Sequence, residues 1–83
     1  MANETTEVEW WQAHGYLAAR ELEGGLSVCL ARMVYTYRVM VCDEGGVYQF
    51  CCYPLEDIST AIVAWSIWDG TSEPVEGYTR WHR

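Results

Sequence analysis

Between Gly15 and Tyr53 apolar side chains recur at nearly every second position, the spacing of strands with one buried face, and glycine pairs punctuate the pattern. Tyr16 to Leu22 forms a first run and Glu23-Gly24-Gly25 a hairpin connection. In the second run, Leu26 to Ala31, the residues Leu26, Val28 and Leu30 share one face. The third, Val34 to Cys42, is rich in β-branched and aromatic residues. It sets Tyr35, Tyr37, Val39 and Val41 against Thr36, Arg38, Met40 and Cys42. Asp43-Glu44-Gly45-Gly46 makes a second tight turn before Val47 to Tyr53. At Arg32-Met33 no glycine or proline marks a turn, so Leu26 to Cys42 reads either as two strands or as one long bent strand.

After Pro54 the period changes. Ile58, Ala61, Ile62, Trp65 and Trp68 or Asp69 fall on one helical stripe, which predicts a helix from Leu55 to Trp68. Pro54 suits its first turn, Glu56 and Asp57 complement the positive end of the helix dipole, and Gly70 is placed to terminate it. Thr71 to Glu76 is a polar loop, and Gly77 to Arg83 a short strand or an extended tail. Residues 1–7 read as a flexible acidic tail and 8–83 as a single compact domain. The elements predict an α+β fold: an antiparallel β-meander of three or four strands with one helix packed on one face. The second face would stay open to another copy or a foreign protein, giving a homodimer or a heteromeric contact.

Composition narrows the function more than the fold. Twelve acidic and five basic residues among 83 give a net charge of −7, and 51% hydrophobic residues exclude the disordered class. The longest mainly apolar stretch without a charge, Ile58 to Trp68, is far shorter than the roughly 20 residues needed to cross a bilayer. No membrane association is expected. The polar, acidic start does not resemble a signal peptide, so the expected location is a cytoplasm, with Cys29, Cys42, Cys51 and Cys52 reduced.

Candidate chemistry is sparse. The cysteines lack the close C-x₂₋₄-C pairs of structural zinc sites, and adjacent Cys51 and Cys52 on a strand point to opposite faces. The two histidines, His14 and His82, lie at the ends of the chain beside nothing that resembles an oriented nucleophile. The acidic pairs Asp43/Glu44 and Glu56/Asp57 have ordinary roles in turns and at a helix start, and no glycine pair precedes a phosphate-binding lysine. No enzyme activity, metal or cofactor is therefore expected. Tyr78 to Arg83 interleaves aromatics with arginines as single-strand binders do, yet a net −7 repels phosphate, so direct nucleic-acid binding is not expected either.

Recognition of another protein remains. Tryptophan and arginine dominate binding hot spots, which marks Trp10, Trp11, Arg80 and Trp81 as the expected partner contacts. The stretch from His14-Gly15-Tyr16-Leu17 through Val28-Cys29-Leu30-Ala31, Arg38-Val39-Met40-Val41-Cys42-Asp43, Ala64-Trp65 and Trp68-Asp69-Gly70 to Trp81-His82-Arg83 resembles small uncharacterised proteins of mycobacteriophages. That resemblance implies a nonstructural phage protein acting on a host protein inside an actinobacterial cytoplasm, by occlusion through an aromatic surface or a sheet edge. An acidic DNA mimic and a self-assembling structural protein are the alternatives.

Overall fold

The computed structural model describes residues 15–83. Five antiparallel strands lie side by side in chain order: β1 (Tyr16–Glu21), β2 (Ser27–Arg32), β3 (Thr36–Asp43), β4 (Gly46–Pro54) and β5 (Arg80–His82). Among the described residues one α-helix, α1 (Ile58–Ile67), preceded by a 3-10 turn over Leu55–Asp57, connects β4 to β5 and packs against the sheet. The expected α+β meander is present. It has one strand more than the pattern predicts, because the C-terminal segment pairs with β4 through Phe50↔His82, Cys51↔Trp81 and Cys52↔Arg80.

The open question at Arg32-Met33 resolves into two strands. Met33 N–H donates to Thr36 O at 2.8 Å, closing a turn after which Arg32 faces Tyr37 in register. This turn uses no positive φ, which is why no glycine announces it.

One sheet face supplies Val28, Leu30, Val39, Val41, Cys51 and Tyr53 to the core, and α1 supplies Ala61 and Ala64, with Trp68 just beyond its end. The buried helix face is turned relative to the predicted stripe. Ala61, Ala64 and Trp68 face the sheet, whereas Ile58 and Ile62, expected inside, remain 42% and 45% exposed. Two needs account for the rotation. Alanines let the helix approach the sheet closely, and buried indole N–H groups require acceptors. Trp65 Nε1 donates to Val28 O at 3.0 Å and Trp68 Nε1 to Ser72 O at 2.9 Å.

The last turn of α1 is held from the sheet. Arg20 on β1 donates from Nε to Trp65 O at 2.6 Å and from Nη2 to Trp68 O at 2.8 Å, placing a cation at the negative end of the helix dipole. Gly70 follows with φ +86°, and a Cβ there would run into the Gln49 side-chain amide. That amide is buried and bonded at both ends: Nε2 donates to Gly70 O at 2.6 Å, and Oε1 accepts from Trp81 Nε1 at 3.0 Å. The loop beyond packs back through Tyr53, whose hydroxyl donates to Val75 O at 2.7 Å.

The second sheet face is not the open surface the pattern suggests. Cys29, Ala31 and Met40 are buried there, with Tyr16, Cys42 and Phe50 packed against them. The Arg38 guanidinium lies 4.3 Å above the Phe50 ring. Tyr16 and Phe50, with Arg38 over the Phe50 ring, spread across this face and withdraw its central side chains from water.

Replacing Arg20 by Met should keep the stem packed but orphan two helix carbonyls. The expected loss is about 1.5–3 kcal/mol, as for hydrogen bonds to a charged group, read as a lower urea midpoint with an unchanged slope. An unchanged midpoint would contradict this role.

Candidate interaction surface

The four expected contacts do not form one site. Trp10 and Trp11 lie outside the described residues, as do His14 and the acidic tail assigned to residues 1–7. Arg80 and Trp81 are neighbours on β5, so their side chains leave opposite faces of the sheet. Trp81 turns to the helix side, where it is half-buried, binds Gln49 through its indole N–H and meets the Tyr78 ring edge-on at 6.0 Å. Arg83 covers its ring at 4.3 Å. Arg80 is exposed on the other face, 5.6 Å from the Phe50 ring that Arg38 also covers.

Two apolar surfaces escape sequence reasoning. On the outer side of α1, Val63 and Ile67 are 47% and 66% exposed and join Ile58 and Ile62 around Ser59 and Ser66. No residue of Ile58–Ile67 is charged. The sequence signal is a helix with apolar residues beyond a single stripe. The second surface is the β2–β3 turn, where Val34 is 77% and Tyr35 84% exposed. The β-branched and aromatic character of Val34 and Tyr35 suits a strand, yet β3 starts only at Thr36 and both residues lie in the turn before it.

The thiols are poor nucleophiles in this setting. All four cysteines are free. Burial pushes the Cys51 thiol up to about 12, and burial together with neighbouring Cys29 pushes Cys42 up to about 12. Neither supplies a thiolate at neutral pH. Burial, with Cys51 beside it, also raises the Tyr53 hydroxyl above its ordinary value. Among the described residues, no cluster of three or more His, Cys, Asp or Glu side chains is arranged to hold a metal ion, and no helix is long and apolar enough to cross a membrane.

Comparisons with known protein families, with curated proteins and with solved structures find no match. The site is therefore defined by its own geometry: an uncharged aliphatic helix face on one side of the sheet, and an apolar turn beside the two arginines that cover Phe50 on the other.

The raised thiols predict alkaline sensitivity. Each is protonated in the fold and ionises more readily once unfolded, so its contribution is complete below pH 9 and disappears as pH rises from 9 toward 12. Urea midpoints should be level from pH 7 to about pH 8.5 and fall steadily above it, less steeply in Cys51→Ala. Midpoints that hold to pH 11 would refute the assignment.

Proposed function

We propose that the chain is a protein-binding domain, a small nonstructural phage product that docks on a host protein and alters its activity by occlusion. The observation that carries this reading is the outer face of α1. In a chain with a net charge of −7, this helix bears no charge and turns Ile58, Ile62, Val63 and Ile67 to the surface. Contiguous aliphatic surface of this kind is uncommon on soluble monomers, and depletion of charge is the compositional mark of interface centres. A flat helix face suits occlusion, because covering it needs no deep cavity. The acidic remainder of the molecule steers it toward basic surfaces around the contact. The phage setting rests on the resemblance of the quoted segments to mycobacteriophage proteins, and the reading assigns the chain no catalytic step. Dispersal of the acids among turns, at Glu23, Asp43, Glu44, Glu56 and Asp57, weighs against a DNA mimic, which would need a dense acidic row.

Tagged protein incubated with mycobacterial lysate should capture one host protein near stoichiometry, identified by mass spectrometry. The double variant Val63→Glu, Ile67→Glu should lose that protein while keeping its circular-dichroism spectrum, since both side chains point away from the core. Equal capture by the variant would remove the helix face from the account. A wild-type mass twice that of the variant in light scattering, without host capture, would transfer the same face to self-association.

A further inference from the structure

Three of the five arginines in this acidic chain belong to the sheet end that carries the β2–β3 turn: Arg32 closes β2, Arg38 follows the start of β3, and Arg80 opens β5. Arg38 and Arg80 are brought onto one face by register, since both pair with Cys52, one from each side. Their guanidinium carbons converge on the same ring, 4.3 and 5.6 Å from the centre of Phe50. The Arg38 Nε–H is buried and has no acceptor. A groove of about 450 Å³ runs from this pair to the turn, walled by Val34, Tyr35, Cys52 and Thr79, and among the described residues no carboxylate lines it.

We propose that this groove binds a peptide segment of a partner protein in which a carboxylate side chain stands next to an apolar one. Two cations held against one ring, with no counter-charge beside them among the described residues, repel each other, and one anionic group in the groove relieves that repulsion. A planar carboxylate matches the donor fork of a guanidinium and can bridge the two arginines. Exposed Val34 and Tyr35 supply the apolar wall for the neighbouring side chain. A nucleic acid fits less well, because its run of phosphates would meet the field of the whole −7 chain, whereas a single carboxylate needs only the local pair. The site is separate from the outer face of α1 and goes beyond the docking just described.

The test is an amide NMR titration of the full chain with the peptide acetyl-Leu-Glu-Phe-amide, its Gln counterpart and inorganic phosphate. The Glu peptide should give saturable shifts at Tyr35, Thr36 and Arg80, and the Gln peptide should bind about tenfold more weakly, the loss expected for a charge-assisted pair. Arg80→Gln, an exposed change, should weaken the Glu peptide to a similar degree with a well-dispersed spectrum, and Arg80→Lys should restore part of the affinity. Val63→Glu with Ile67→Glu should bind the peptide as wild type does, so a failure of the helix-face reading leaves this result intact. The proposal is overturned by absence of saturable shifts at the groove, by equal binding of the Gln peptide, by indifference to Arg80→Gln, or by phosphate alone competing as well as the peptide.

Discussion

A helix of ten residues covers one apolar side of a five-stranded sheet, and the core on that side follows from how it does so. Ala61 and Ala64 bring its axis close to the strands, so β-branched residues of β2 and β3 pack directly beneath it. Close approach leaves no room for long apolar side chains under the helix, and the isoleucines are displaced outward. The tryptophans then extend the contact at the C-terminal end, where each indole N–H finds a backbone oxygen.

Polar ties fix the placement that packing alone would leave free. Arg20 reaches from β1 to the C-terminal carbonyls of α1, joining the first strand to the last helical turn across more than half the described chain. Gln49 does the same for the opposite edge, donating its amide N–H to Gly70 O and accepting from Trp81 at its oxygen, so β5 and the post-helical turn are positioned by one buried side chain. Such ties act through geometry: a helix rotated to bury Ile58 and Ile62 would withdraw the indoles from their acceptors.

Much of this was legible in the sequence. Alternation gave β1 to β4, the glycine pairs gave two connections, and the change of period after Pro54 gave the helix, because these signals are local. Other features carry no sufficient signal of their own. The Met33–Thr36 turn uses ordinary backbone angles and carries no signature. β5 alternates over only three residues, too short a run to distinguish a strand from an extended tail until β4 offers it an edge. The helix is apolar on nearly every side, and its rotation is decided by the size of Ala61 and Ala64 and by acceptors on distant segments. For the candidate site, Arg80 and Trp81 were recognisable as residue types, but pairing in β5 separates them, one into the packing around Gln49 and one beside Arg38. Convergence of Arg38 and Arg80 depends on their common neighbour Cys52 and leaves no trace in sequence spacing.

The orientation of α1 is what the binding role depends on, and side-chain methyl NMR in the presence of a soluble gadolinium chelate reads it directly. The methyls of Ile58, Ile62, Val63 and Ile67 should broaden strongly while those of Ala61 and Ala64 remain sharp. Sharp Ile58 and Ile62 signals with broadened Ala64 would mean that the isoleucine stripe is buried, and would contradict both the packing and the docking surface built on it.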